Sequence, residues 1–513
     1  MASSDDFLWA KPAQLILLAT TFWLLFHLGR GIYQAYFGPL HNVPGPKSWI
    51  IFTFIPKLKG ILGTFDQDLR RFHQRYGPVV RYAPGSISFT TDEAWKIIYG
   101  PVHGQFEKYF LVNQIEPQSS IFTADDTNHA RIRRGISHAF APRSLAEQEP
   151  MIHNYIELLV QRLSDVAESR VPTEIGRWFH LTSFDIIADL ATGESLGGLE
   201  NNEFHYVVES VLRFVERGRI LGGIDELLGP FAALVRPLIA PGVMQGFMNQ
   251  YNHTRVAVGK RLEKGPDESR KDLLSGLLRG MGDKDIKSTE ELITNANGIF
   301  VAGSDTTATL LTACTYYLLH TPHAHKKAVE EVRSAFASAA DINFVNATAR
   351  LPYMLAVLNE TLRLYPPVPS AIERIVPNTE QPIHIDGVCV PPGTHVGVHQ
   401  SSAGLSASNF AQPEIFAPER WLPTAAQDPS SPFFADKRSA MQPFSYGPRN
   451  CVGKHLAYNE MRVIMARLLW EFDMSLDPSS RTWTEPYSNH KSWVGTWKKP
   501  PLMIHLKKRP FGV

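Results

Sequence analysis

Cysteine is nearly missing from this 513-residue chain, which has only Cys314, Cys389 and Cys451. So low and odd a count argues against a disulfide framework and suits a reducing compartment. Charge of one sign is missing as well: 51 basic residues face 50 acidic ones, for a net charge of +1. That balance gives no support to nucleic-acid binding, which would need a basic excess on one face. There is no internal repeat, no low-complexity tract and no long linker after residue 47. Nor is there a Gly-x-Gly-x-x-Gly strand–helix unit or a further domain after Pro500, so no flavin or nicotinamide segment is evident. Apolar residues are abundant, at 44% hydrophobic and 11% aromatic, enough to bury a large core. The length would allow several average domains, but length is a weak guide to their number.

The N-terminus carries the one long apolar run. Residues 13–28 are interrupted only by Gln14, two threonines and His27, and the run can extend through Ile32 to Phe37. A spanning helix needs roughly 20 apolar residues. A cleaved secretory signal would open on basic residues, whereas Asp5 and Asp6 stand here. Residues 1–37 are therefore expected to be a retained membrane anchor, and 38–47, with Pro39 and Pro44-Gly45-Pro46, a stiff hinge. Arg30 and Lys47 on the body side put the body, residues 48–513, in the cytosol. The sequons at 252–254 and 346–348 then read as chance matches.

The body is expected to be one mainly α domain with a minor β component. Residues 145–320 are mostly helical in pattern. The stretch 290–320 is apolar all round yet holds Asn295, Asn297 and Asp305, which favours burial in protein over a membrane span. Short β-branched runs with turns at Asp386-Gly387 and Pro392-Gly393 predict small strands over 372–398. Residues 405–444 read as irregular, and a last amphipathic helix follows at 456–469.

Chemistry concentrates at Phe444-Ser-Tyr-Gly447-Pro-Arg449-Asn-Cys451-Val-Gly453. A glycine-containing loop here delivers a cysteine to a helix start, where backbone N–H groups and the dipole stabilise a thiolate. Gly447 and Gly453 let the backbone approach a bulky ligand, and Arg449 is placed to meet an acidic group on it. A structural cysteine beside a turn is the plain alternative. The stretch matches Phe-x-x-Gly-x-Arg-x-Cys-x-Gly at every fixed position, and so resembles the haem-binding loop of the cytochrome P-450 family. A second segment, Ala302-Gly303-Ser304-Asp305-Thr306-Thr307, breaks helix propensity in mid-helix. Alone it could be a small-residue packing groove. It resembles the family's oxygen-activation segment, in which a local bulge makes a pocket for dioxygen. Glu360-Thr-Leu-Arg363 and Pro418-Glu-Arg420-Trp421 resemble the family's Glu-x-x-Arg helix and its Pro-Glu-Arg-Phe partner, with Trp421 where Phe is usual.

The resemblance runs from the Pro-Gly-Pro hinge to Pro500 and is nearest to fungal microsomal biosynthetic members. It implies haem b with Cys451 as axial thiolate ligand, and Asp305 and Thr306 as the acid–alcohol pair that delivers protons. Phe444, Gly447 and Gly453 would shape the loop. Arg449, Arg133, His129 (in place of a usual Trp) and Arg374 would reach the haem propionates. Arg131, Arg133 and Arg134 could equally form a basic face for a redox partner, and His399 reads as a satisfied core histidine. Glu360, Arg363 and Arg420 would hold the cysteine loop without taking part in the chemistry. The implied activity is insertion of one oxygen atom into a lipophilic substrate, with NADPH electrons from a separate cytochrome P-450 reductase. A haem-thiolate isomerase or dehydratase and a non-catalytic haem sensor are the alternatives; the intact Asp305–Thr306 pair argues against the first, and a sensor would have no need of a proton relay. Substrate contacts are expected from 101–123, 302–307, 368–372 and 483–494, and a second membrane contact from 231–243.

Overall fold

The computed structural model describes residues 4–102, 104–109, 118–239, 242–264, 270–484, 490–493 and 496–510. The helices that position the site are α1 (Ser4–Tyr36), α2 (Phe54–Leu62), α3 (Asp126–Ser137), α4 (Pro142–Ser169), α5 (Ile175–Thr192), α6 (Tyr206–Leu228), α7 (Val243–Lys264), α8 (Thr289–His320), α9 (Pro352–Leu364) and α10 (Lys454–Glu471). The expected mainly helical architecture is present.

Helix α8 is the axis of the core. Ser288 caps it by accepting from the Glu291 N–H, and Glu290 and Glu291 in its first turn suit the positive end of the dipole. Nearly every residue from Glu291 to Phe300 and from Thr307 to Leu318 is buried. The expected partners of its polar residues exist: Asn295 Oδ1 accepts from Ile121 N at 2.9 Å, and Asn297 Oδ1 accepts from Thr254 and Gln250. Helix α5 lies against α8 over much of its length. Gly303 permits this, because a Cβ there would sit 2.8 Å from Ile187 side-chain carbons. The bulge implied at 302–307 is not seen. The helix runs unbroken there, with Thr306 and Ser304 hydroxyls bonding back to Ala302 and Val301 carbonyls.

The minor sheet contains β1 (Val79–Ala83), β2 (Ser86–Phe89), β3 (Glu107–Lys108), β4 (Arg374–Ile375) and β5 (His395–Val398), in the order β1-β2-β5-β4-β3. Strands β2 and β5 pair in parallel, with Ser86 opposite His395. The other pairs are antiparallel, with Lys108 opposite Arg374. The predicted turn at Asp386-Gly387 joins a small hairpin, and both residues have positive φ. His399 is buried, its Nδ1 2.8 Å from Ser88 Oγ, as expected of a satisfied histidine.

Among the described residues no helix is long and apolar enough to cross a membrane. Helix α1 nevertheless leaves Leu15, Leu17, Leu18, Phe22, Leu25 and Phe26 exposed.

Between α9 and the cysteine loop lies a fully buried charge network. Glu360 Oε1 accepts from Arg363 Nη2 (2.7 Å), Arg420 Nε (2.9 Å) and Ala417 N (2.9 Å). Its Oε2 accepts from Arg363 Nε and Trp421 Nε1, both at 2.8 Å. The unusual tryptophan thus adds a donor that phenylalanine could not supply. Arg363 also donates to the Gly404, Pro413 and Ile415 carbonyls, and Arg420 pairs with Asp436. Breaking such a network by removing one charge is expensive, about 3–5 kcal/mol. Glu360→Gln should therefore lower stability in urea unfolding of the full chain by about that amount. Trp421→Phe, which removes one bond to a charged group, should lower it by only about 1.5 kcal/mol. A smaller loss for Glu360→Gln than for Trp421→Phe would contradict this account.

Candidate active site

Cys451 sits where the irregular chain after residue 440 turns into α10. Its N–H donates to the Phe444 carbonyl at 2.8 Å, closing the loop. Ser445 and Gly447 both have positive φ, and a Cβ on Gly447 would lie 2.0 Å from the Tyr99 carbonyl oxygen, so only glycine fits there. Phe444 stacks near Tyr458, with ring centroids 5.1 Å apart. Gly453 caps α10, and a Cβ on it would approach Phe140 at 3.6 Å and Cys451 Sγ at 4.0 Å. Burial pushes the Cys451 thiol up. The N–H groups of Gly453 and Lys454 and the charges of Arg133 and Lys454 oppose this, as the start of a helix does, but leave it raised. Cys314 is buried inside α8 and Cys389 lies exposed on the hairpin, so neither shares this setting.

Around the loop the chain gathers cations. His129 on α3 is buried, and its pKa is pushed down to about 3 by burial and by Arg449, Lys108, Arg133 and Arg374. Arg374 is lowered to about 10, again mainly by burial and further by Arg449. Two carboxylates at the start of α3 stand near Arg449: half-exposed Asp126, which accepts from it at 2.8 Å, and Asp125, whose carboxyl its charge helps to hold down. Nη1 of Arg374 and Nη1 of Arg449 are buried and have no hydrogen-bond partner among the described residues. Buried donors without acceptors are uncommon in native proteins. Two orphaned guanidinium donors in a cation-rich, low-dielectric wall fit a ligand that brings anionic oxygens, as a haem does with its two propionates.

Arg133 also has a partner in the cysteine loop. It donates to the Asn450 carbonyl at 2.5 Å and to Asn450 Oδ1 at 2.9 Å, so it braces the residue before the cysteine. Of its neighbours, Arg131 pairs with Glu291, and Arg134 pairs with Asp285 while remaining exposed.

The molecule encloses a cavity of about 1430 Å³. Its wall includes Ala302, Asp305 and Thr306 of α8, Val368 and Ile372 before β4, and Phe122. Helices α2, α6 and α7 contribute Ile61, Val211 and Phe247. Of the expected substrate segments, 302–307 and 368–372 contribute directly. From 101–123, Lys108, Tyr109 and Phe122 do so, while residues 103 and 110–117 lie outside the described residues. The C-terminal contribution is shifted. Trp497 to Pro501 line the cavity, whereas Trp483 donates to the Pro500 carbonyl and Ser492 to Asp66. Residues 485–489 and 494 lie outside the described residues.

The loop residues and the α8 pair form two groups, joined through Ile372–Arg374 and Lys108, which border both. Asp305 Oδ1 lies 2.9 Å from His180 Nε2 and 3.8 Å from Lys499 Nζ. Neither partner belongs to a recognisable motif, and they are remote in sequence, so no pattern in the chain pointed to them. Thr306 Oγ1 donates to the Ala302 carbonyl at 2.8 Å.

Comparison with known proteins agrees with this geometry. The family model described as Cytochrome P-450 matches residues 43–505. The chain is 43% identical to the cytochrome P-450 monooxygenase olcB of Penicillium canescens, over 96% of this chain and 99% of that protein. It is 40% identical to the trichothecene C-4 hydroxylase of Trichoderma arundinaceum, over 94% of each. It is 38% identical to the averantin hydroxylase of Dothistroma septosporum, over 95% of this chain and 90% of that protein. With a glycine-bounded cysteine at a helix start, two orphaned guanidinium donors and similarity over nearly the whole chain to these enzymes, the chain belongs to the cytochrome P-450 family, as a haem-dependent monooxygenase served by a separate reductase.

Proposed function

We propose that Cys451 would supply the thiolate that holds a haem iron, that Arg449, Arg374, His129 and Arg133 would meet its propionates, and that Asp305 and Thr306 would handle protons. The observation that carries this reading is the pair of orphaned guanidinium donors beside the cysteine loop. When bound, the haem supplies the iron that reduces and splits dioxygen, with thiolate electron density favouring O–O cleavage. The chain's residues do the rest. The N–H groups of Gly453 and Lys454 hold negative charge on sulfur. Arg133 keeps Asn450, and with it the loop, in register on α3. Thr306 donates to Ala302, and its oxygen can still accept from a water in the cavity, whose wall Asp305 also lines.

The substrate is proposed to be a lipophilic fungal secondary metabolite that is hydroxylated. The apolar lining of Ile61, Phe65, Phe122, Val211, Val301 and Ile372 supports that class, as do the activities named for the trichothecene and averantin enzymes. Attachment to the endoplasmic reticulum membrane is proposed through residues 1–37, with 38–47 as hinge and 48–513 as the cytosolic catalytic domain. The exposed apolar side chains of α1 support it. A second contact is proposed at Phe54, Leu58 and Leu62 of α2 with Phe231, Leu234 and Leu238. All six are exposed, and α2 packs on α6, which leads into the second trio.

Three outcomes test this. Cys451→Ala should abolish activity and the red-shifted Soret band of the reduced carbon-monoxide complex, while Cys314→Ala and Cys389→Ala should keep both. Wild-type protein with full haem occupancy and no such band would sink the proposal. Removal of residues 1–37 should weaken flotation with lipid vesicles while haem binding persists; a truncated protein that cannot hold haem would refute the division. Expression with a reductase and candidate precursors, followed by mass spectrometry, identifies the substrate. With that compound, Thr306→Ala should keep the substrate-induced spectral shift but raise peroxide released per NADPH consumed. An unchanged product yield would remove Thr306 from the mechanism.

A further inference from the structure

His180, on α5, makes two ring contacts that together restrict where protons can be. Its Nδ1 lies 2.7 Å from the Gly176 carbonyl oxygen, and its Nε2 lies 2.9 Å from Asp305 Oδ1. A carbonyl oxygen only accepts, so Nδ1 carries a hydrogen whenever that bond is made. An ionised carboxylate also only accepts. The Nε2–Oδ1 contact must therefore contain one proton, in one of two forms. Either an imidazolium N–H faces a carboxylate, or a carboxyl O–H faces the lone pair of a neutral ring. A carboxylate facing that lone pair would set two acceptors against each other.

The surroundings fit a proton on the move. Lys499 Nζ is 3.8 Å from the same Oδ1 and donates to Thr309 Oγ1 at 2.8 Å, so its charge favours the ionised carboxylate. Glu174 and Arg177 at the start of α5, and Lys498 beside Lys499, are the other charged groups on this part of the cavity wall. Arg177 reaches out to Asn202 at the surface. Phe184 stacks beside the His180 ring, with centroids 6.5 Å apart, giving it an apolar neighbour.

We propose that His180 is the positioning residue that reloads Asp305 with a proton, an inference that rests on the reading of Asp305 and Thr306 given above. In the step the Nε2–H bond breaks and an O–H bond forms on Asp305. That O–H then breaks as the proton passes toward the Thr306 hydroxyl and its water. The carboxylate now faces a bare Nε2, and the ring recovers a proton from water arriving along the Glu174–Arg177 wall. One proton moves from solvent into the cavity per passage. No electron moves with it; the electrons come from the reductase.

His180→Gln separates relay from support, because the amide can still donate to Asp305 but has no proton to give up. Wild type, His180→Gln, His180→Phe and Asp305→Asn are compared as full chains with reductase in lipid vesicles, with the compound from the product screen and with no substrate. In His180→Gln the substrate-induced spectral shift should stay, and product per NADPH should fall by about tenfold or more, toward Asp305→Asn. The solvent deuterium isotope effect on NADPH oxidation should rise. Wild-type coupling in His180→Gln would overturn the relay and leave the Asp305–Thr306 reading intact. Wild-type coupling in Asp305→Asn would overturn both. A readout free of turnover is nitrogen-15 NMR of histidine-labelled reduced carbon-monoxide complex, with the His180 signal assigned by its loss in His180→Phe. It should show a proton on Nδ1; a neutral ring protonated on Nε2 alone would overturn the proposal even if the glutamine variant failed to fold.

Discussion

Glu360 is the point on which the proximal half of the molecule turns. One carboxylate, fully buried, accepts five hydrogen bonds from two arginines, a tryptophan and a backbone amide. Charges this deep survive only when geometry and hydrogen bonding offset their lost hydration. Here the offset is shared out over the chain. Arg363 spends its remaining donors on the Gly404, Pro413 and Ile415 carbonyls, and Arg420 reaches Asp436 and Ala411. A stretch with little regular secondary structure is thereby held by charge-assisted bonds to α9. The loop that carries Cys451 begins where that stretch ends, so its position depends on a carboxylate 91 residues earlier.

The two buried charge systems follow opposite rules. Around Glu360 the donors are satisfied and the charges are nearly matched. Around Arg449, Arg374, Lys108, Arg133 and His129 the cations outnumber the nearby Asp125 and Asp126, Nη1 of Arg374 and Nη1 of Arg449 have no acceptor among the described residues, and His129 is driven to its neutral form. A self-contained fold would lose stability by keeping such a wall. It makes sense where a bound group supplies the missing negative charge, and binding free energy then becomes folding free energy. The contrast separates scaffold from site on electrostatics alone, without appeal to the motif.

The sequence made the local features legible and left the convergent ones hidden. Buried helix α8, the small strands, the cysteine at a helix start and the Glu360–Arg363 pair all express short-range pattern, in apolar periodicity, turn residues or i,i+3 spacing. The role of Trp421 was not readable, because its indole meets Glu360 only after 61 residues of chain have folded back. Arg133 shows the same limit. Its place on α3 was clear, but its bond to Asn450 depends on a contact 317 residues away. The bulge carried over from the family resemblance is not seen, the helix being continuous through 302–307. His180 and Lys499 carry no local signature at all.

The segment around Gly303 shows why a packing reading and a chemical reading of one motif need not compete. Gly303 lets Ile187 of α5 come within van der Waals reach of α8. His180 is seven residues before Ile187, two helical turns along the same face of α5. The close approach that glycine allows at Ile187 therefore fixes how near the imidazole can come to Asp305. A larger side chain at 303 would tilt or lift α5 first at Ile187 and, through a rigid helix, at His180. A hydrogen bond of 2.9 Å tolerates little such displacement before it weakens. The small residue is then a spacer whose effect is read two turns away, at the one contact where the geometry requires a proton.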